Sequence, residues 1–299
     1  MEFIAGIDGG GTKTHIVCRT PQGQHLREKT LGAFNLNGVG EERFNALLEE
    51  LIGFLAAQGR CLSVCIGAAG ASSPRLRELT AAAMDRAGIA RWKLVGDHEI
   101  ALYGALEGQP GCLLIAGTGS ICFGRDGRGG TARAGGWGHL IGDGGSGYAL
   151  GRDALAAVTR QLDGLDGETL LTGLVSRELD LDSREAIVAY VYGGGKDRLA
   201  AVSPLVERAA ALGDAAALQI VERNAQELVR LVRAVAGRLG LEQGQTALYG
   251  GLLEHDTALR RRSVDAMAEA MPRMRCVAAR QSAAFGAALM ARELLDNDG

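Results

Sequence analysis

The sequence has no Cys-x-x-Cys pair and no zinc-type Cys/His spacing, which argues against a metal-thiolate site. It has no excess of positive charge either. Its 299 residues carry 32 Lys+Arg against 35 Asp+Glu, a net charge of −3, so a broadly basic surface for nucleic acid or an anionic membrane is excluded. Lysine is scarce, confined to Lys13, Lys29, Lys93 and Lys196, and the arginine excess reads as compositional bias. No apolar run approaches the roughly 18 residues of a membrane helix. The opening Met-Glu-Phe-Ile-Ala-Gly lacks the charged region and cleavage site of a signal peptide. Cys18, Cys61, Cys65, Cys112, Cys122 and Cys276 fall mostly inside apolar runs, where free cysteine behaves as a small buried hydrophobe. The expected setting is the cytoplasm, with reduced thiols.

Glycine is abundant: 45 of 299 residues, about twice the usual share. It clusters at 9–11, 117–119, 127–130, 135–151, 193–195 and 250–251. Such clusters between apolar runs suggest backbone brought close to a ligand. Residues 3–8 and 14–18 read as strands around the first cluster, with a turn at Pro21-Gln-Gly23. Phe44, Leu47, Leu48, Leu51 and Leu55 recur at helical spacing from Glu41 until Gly59. Residues 62–68 read as a buried strand, and Ser73-Pro74 opens a helix as N-cap and first residue, stopping near Gly88. A strand over 92–96 and a helix over 98–106 follow.

The order then restarts. A strand over 112–116, a glycine turn at 117–119 and a strand from Ser120 repeat the surroundings of the first cluster, which suggests an internal structural duplication. Residues 146–240 read as mostly helical, closing with a long Ala/Leu/Val-rich helix over 214–239 expected in the interior. A strand over 246–249 enters Gly250-Gly251. After it come a helix, a strand over 276–278 and a final helix from about Ser282. The chain is therefore expected to be α/β with two domains, 1–110 and 111–281, the final helix 282–299 packing on the first. No linker separates them, so they should abut.

Asp8-Gly-Gly-Gly-Thr-Lys-Thr14 is neither a Rossmann fingerprint, which runs into a helix, nor a P-loop, because Thr12 interrupts the spacing. It reads as a hairpin tip whose backbone N–H groups at Gly10, Gly11, Thr12 and Lys13 can approach phosphate oxygens, with the Thr12 hydroxyl as a further donor. Asp8 would repel a phosphate unless Mg²⁺ lay between them, and Mg²⁺ takes few protein ligands; alternatively Asp8 only caps a glycine hairpin. Gly117-Thr118-Gly119-Ser120 is a second such tip, and two hairpins can hold a triphosphate from both sides. Gly250 and Gly251 end a strand where missing side chains would admit adenosine or simply make a tight turn.

These three motifs resemble the nucleotide motifs of the actin-like ATPase and sugar kinase superfamily. The run Gly135-Gly136-Trp137-Gly138-His139-Leu-Ile-Gly-Asp143-Gly144-Gly-Ser-Gly147 narrows the resemblance to N-acetylglucosamine kinases. These belong to the BadF/BadG-type ATPase group, which also holds activators of benzoyl-CoA reductase and 2-hydroxyacyl-CoA dehydratase. The resemblance spans essentially the whole chain. It implies two ribonuclease-H-like, actin-like domains with mixed sheets flanked by helices and an interdomain cleft. It also implies ATP and Mg²⁺, an amino-sugar substrate, and commonly a homodimer. Asp97 matches the general base, and a carboxylate at a strand end can accept a sugar hydroxyl proton; the other use of Asp97 is as the N-cap of the following helix. Asn35, rather than Asn37, matches the asparagine that binds sugar hydroxyls. Ser120, Gly136, Trp137, Gly138 and Asp143 fall in the sugar-binding segments. Trp137 reads either as a platform for the sugar's apolar face or as a buried anchor of its loop, and His139 as structural. His98 and Glu99 follow Asp97 where relatives carry a small residue first, and Gly144 replaces a usual glutamate. An activator would need cysteines in the middle region to ligate an iron–sulfur cluster, and residues 124–275 contain none, which favours the kinase. The match of the Trp137 segment makes N-acetylglucosamine, phosphorylated at O6, the expected substrate, with glucosamine, glucose and other hexosamines as alternatives.

Overall fold

A computed structural model describes residues 1–296. The chain opens with β1 (Glu2–Gly9), β2 (Thr14–Arg19) and β3 (His25–Leu31), followed by α1 (Leu36–Val39), α2 (Glu41–Ala56), β4 (Arg60–Ala68), α3 (Pro74–Arg86), β5 (Trp92–Val95) and α4 (Asp97–Leu106). β1 is covered on both faces, with Phe3, Ile4, Ala5 and Ile7 all buried, which is why it reads as one continuous apolar run. The apolar stripe of α2 is buried along its length. Ser73 caps α3 as its residue types require, its Oγ accepting from the Leu76 N–H at 3.4 Å, with Pro74 in the first turn. β3 carries no apolar alternation (His-Leu-Arg-Glu-Lys-Thr-Leu) and is mostly exposed. It is a charged edge strand that exists through its antiparallel ladder to β2.

The second run comprises β6 (Gly111–Ala116), β7 (Ser120–Arg125), β8 (Thr131–Gly135), α5 (Gly147–Leu162), α6 (Leu170–Leu179), α7 (Arg184–Tyr192), α8 (Lys196–Ala200), α9 (Ser203–Ala211), α10 (Ala215–Leu239), β9 (Gly244–Tyr249), α11 (Gly251–Glu254), α12 (Ala258–Ala270) and β10 (Met274–Ala278). α13 (Ala283–Asp296) closes the described chain; of the helix expected over 282–299, residues 297–299 lie outside the described residues. α10 lies among β6, β7, β8 and the helices α5, α9 and α12. It is amphipathic all the same: one stripe, from Ala217 through Leu228 to Ala236, is buried, while arginines such as Arg223 and Arg230 are exposed.

Two compact units result, one of Met1–Gln109 with the chain from Ala279 onward, the other of Pro110–Ala278. Each holds one five-stranded sheet, ordered β3-β2-β1-β4-β5 and β10-β9-β6-β7-β8. In each, the first strand is central, the second and third form an antiparallel meander, and the fourth and fifth pair in parallel. The duplication suggested by the two glycine turns is thus one of topology. Among the described residues no helix is long and apolar enough to cross a membrane. All six thiols are free, four of them buried, and burial pushes Cys18, Cys61 and Cys65 up to about 12.

α13 packs within the first unit against α4 and β1 at backbone distance. A Cβ on Gly286 would stand 2.0 Å from the Ile100 carbonyl oxygen and 2.3 Å from the Gly104 nitrogen. Those neighbours are backbone and cannot rotate away. Gly286→Ala is therefore expected to destabilise the protein by about 1–3 kcal/mol, the range of overpacked cores. A denaturant titration checks it, and an unchanged midpoint would refute the packing argument.

Candidate functional site

In the first unit, the β1–β2 ladder ends at the pair Gly9–Thr14. The Gly10 N–H donates to the Lys13 carbonyl at 2.9 Å, closing a four-residue tip that leaves Gly11, Thr12 and Lys13 exposed. The tip is tied to the chain after β3 by the Phe34 N–H donating to the Gly10 carbonyl (3.0 Å) and by the Thr14 hydroxyl donating to the Gly32 carbonyl (2.6 Å). Asn35 is thereby held next to the tip. Its Oδ1 caps α1 by accepting from the Gly38 N–H at 3.1 Å, while its Nδ2 has no partner among the described residues. Asn37 is exposed.

Asp97 is the first residue of α4, and the N-cap is Gly96. The capping is done by Glu99, whose Oε1 accepts from the Gly96 N–H at 2.9 Å. The alternative use of Asp97 as a cap therefore does not hold. Its Oδ1 accepts from the His98 N–H at 2.9 Å and lies 3.5 Å from His98 Nδ1. The two residues that depart from the resemblance thus hold the helix start and the aspartate itself. Asp97 borders an open cavity of about 340 Å³, whose other walls include Gly70, Ser72, Arg77 and Leu94.

The two candidate carboxylates, Asp8 and Asp97, are shifted in opposite directions. Burial, and then the charge of Asp97, push Asp8 above the usual carboxylate value, opposed by His15 and Lys13. The hydrogen bond from His98 holds Asp97 below it, against some burial.

In the second unit, the Gly117 N–H donates to the Gly119 carbonyl at 2.9 Å to close the second tip. The first turn of α5 lies against it, with the Gly147 and Tyr148 N–H groups donating to the Gly117 and Thr118 carbonyls at 2.8 and 3.3 Å. Gly250 stands beside the same tip. A Cβ there would be 2.5 Å from the Ala116 carbonyl oxygen, and its φ of +91° also favours glycine. Gly251 faces open space.

The segment Gly136–Ser146 folds over this tip. The Gly136 N–H donates to the Ser120 carbonyl at 3.0 Å. Trp137 is 65% exposed, so it is no buried anchor. The Arg133 guanidinium lies 5.0 Å from the ring centroid, and the loop closes through the Gly142 N–H donating to the Gly138 carbonyl at 2.8 Å. His139 packs edge-on against Tyr148 at 4.9 Å, a structural role. Asp143 is buried at 6% exposure with φ of +64°. Its carboxylate accepts no hydrogen bond from any described residue, and Gly119 lies against it. The Ser120 hydroxyl is engaged, donating to the Gly144 carbonyl at 2.7 Å. At Gly144 the space for a side chain is taken by Glu227 of α10, whose Cγ would lie 2.9 Å from a Cβ there.

The first unit therefore gathers Asp8, Gly10–Lys13, Asn35 and Asp97, and the second gathers Gly117–Ser120, Gly136–Asp143 and Gly250–Gly251. Sequence reading overlooked Asn224, a polar residue on the apolar stripe of α10 that turns out buried and bonded to Gly145 at 2.9 Å. Its place in the helical period was the available signal.

Comparison with known proteins agrees over nearly the full chain. An N-acetylmuramic acid/N-acetylglucosamine kinase of Clostridium acetobutylicum is 34% identical over 308 residues, spanning 99% of this chain and 100% of that protein. An N-acetyl-D-glucosamine kinase of Dictyostelium discoideum is 30% identical, spanning 81% of this chain and 82% of that one. A crystal structure from Chromobacterium violaceum, provisionally assigned as an N-acetylglucosamine kinase, superposes with a TM-score of 0.70 at 29% identity, covering 97% of this chain and 98% of that one. The model of the BadF/BadG/BcrA/BcrD ATPase family matches residues 5–291, and the chain belongs to that family.

Proposed function

We propose that this chain is a cytoplasmic ATP-dependent kinase that phosphorylates N-acetylglucosamine on its 6-hydroxyl. The observation that carries the reading is Asp97, an exposed carboxylate at a strand end, held ionised by His98 beside the glycine hairpin of Asp8. In the transfer, the sugar O6 bonds to the γ-phosphorus as the bond from that phosphorus to the β-phosphate oxygen breaks. The O6 proton passes to Asp97, and ADP leaves. Gly10–Lys13 and Gly117–Gly119 are each assigned to nucleotide phosphates, and Gly250 and Gly251 to the adenosine.

Asp8 suits Mg²⁺. It is a half-buried carboxylate with a second carboxylate nearby, and Mg²⁺ commonly takes one or two carboxylates and completes its shell with phosphate oxygens and water. When bound, Mg²⁺ offsets the phosphate charge. For the sugar, Asn35 offers its free Nδ2, Asp143 an unpaired carboxylate able to accept two hydroxyls, and Trp137 an exposed ring. Ser120 supports these through the backbone, its proton being committed to Gly144. A homodimer is the assembly we expect.

N-acetylglucosamine is favoured because the two relatives at 30% identity or more are named for it, one of them for N-acetylmuramic acid as well, whereas a Vibrio cholerae relative at 28% identity is named a glucosamine kinase. The test is ADP release across N-acetylglucosamine, glucosamine, N-acetylmuramic acid and glucose, with the phosphorylated position found by phosphorus-coupled NMR. Highest kcat/KM on N-acetylglucosamine with phosphate on O6 is expected. Absence of sugar-dependent ADP release from the whole panel would reject the reading.

A further inference from the structure

One peptide unit beside Asp143 is held at both ends. Its carbonyl, Gly144 C=O, accepts from the Ser120 hydroxyl at 2.7 Å. Its N–H, on Gly145, donates to Asn224 Oδ1 at 2.9 Å. Asn224 is itself fully committed: its Nδ2 donates to the Ile220 carbonyl at 2.9 Å and to Asp153 Oδ2 at 3.0 Å. Flipping that amide would aim its nitrogen at the Gly145 N–H and its oxygen at a carboxylate and a carbonyl, so only one orientation satisfies all three bonds. The residue is 3% exposed on the apolar stripe of α10, where an unpartnered amide would be costly. Glu227, one turn along the same helix, fills the space above Gly144.

We propose that Asn224 is a positioning residue for the sugar: by clamping the Gly144–Gly145 peptide it fixes the left-handed backbone of Asp143 and so aims that carboxylate. This rests on the assignment of Asp143 to the sugar in the reading above. The physical reason is that the Asp143 carboxylate has no protein hydrogen bond to steer it and takes its direction from the backbone, whose carbonyl accepts from the Ser146 N–H at 3.2 Å. Its φ of +64° is one that few non-glycine residues hold without support. Release the peptide and the carboxylate swings away from the sugar, while the second tip keeps its own bonds, from the Gly117 N–H to the Gly119 carbonyl and from the Gly147 and Tyr148 N–H groups.

The test uses the full-length protein with Asn224→Leu, which keeps the volume and removes the acceptor, and with the paired exchange Asn224→Asp plus Asp153→Asn. The exchange keeps an acceptor for Gly145 and returns a donor between the two side chains, while giving up the donor to the Ile220 carbonyl. Asn224→Leu should raise KM for N-acetylglucosamine about ten- to a hundredfold, the cost of a misplaced binding group, with KM for ATP within twofold; the exchange should restore sugar KM to within about threefold of wild type. A folded Asn224→Leu protein with wild-type sugar KM would overturn the proposal, as would parallel rises in both KM values. If Asn224→Leu does not fold, the exchange decides alone: a folded exchange variant with tenfold raised sugar KM also overturns it. The wild-type arm separates the two claims, since loss of all sugar phosphorylation there rejects the kinase reading itself.

Discussion

Asp97→Asn is expected to lower kcat by about 10²–10⁴, the usual contribution of a positioned general base, while KM for ATP and for sugar stays near wild type. Several features make this substitution a clean one. Asp97 is not the N-cap of α4, which is Gly96 with Glu99 reaching back to it, and Glu99 keeps a negative charge in the first turn when Asp97 loses its own. Asparagine is of the same size, and its Oδ1 can still accept from the His98 N–H that now meets Asp97. What it cannot do is take the proton of the attacking hydroxyl. Asp97 is ionised across the neutral range, as the proposed base must be, and His98 holds it below its ordinary value. Acidification therefore protonates Asp8, which burial pushes the other way, before it protonates Asp97. Steady-state kinetics on both proteins measures the effect. An Asp97→Asn protein that keeps near-full kcat would remove Asp97 from the chemistry.

N-acetylglucosamine is expected to stimulate ATP consumption by at least about tenfold over the rate without sugar. The tip proposed for the phosphates leaves Gly11, Thr12 and Lys13 open to solvent, so water has access to a nucleotide held there. A bound sugar would displace that water and present its 6-hydroxyl to the γ-phosphate. Binding energy of the correct substrate is then used to complete the catalytic arrangement, which suppresses idle hydrolysis. The measurement is ATP turnover with and without sugar, at saturating ATP. Equal rates in the two cases would defeat the claim while leaving the fold untouched.

Much of the architecture was legible because it rests on local rules. The strands β1 and β6 show as apolar runs between glycines, α2 as a helical period, and α3 as a Ser-Pro start. The repeated glycine turn disclosed the duplicated topology, since both copies sit at the tip of a first-to-second-strand hairpin. Asp8 and Asp97 likewise stood out as candidates at strand ends, and Asp143 as one through the resemblance of its segment.

Other features depended on partners distant in sequence. β3 is a strand of His, Arg, Glu and Lys that shows no alternation, and only the ladder to β2 makes it one. Whether Asp97 caps α4 or stands free of it was decided by Glu99 reaching back to Gly96. Trp137 was as plausible buried as exposed until its loop was seen folded over β7, with the ring outside and Arg133 upon it. The clamp on Gly144 and Gly145 joins residues 24 and 79 positions away. Residue type and spacing determined which groups could do chemistry here, because propensity and periodicity act over a few residues. Which of those groups are free, buried or aimed was set by the tertiary structure alone, because hydrogen bonds and burial are settled by whatever the fold brings within about 3 Å.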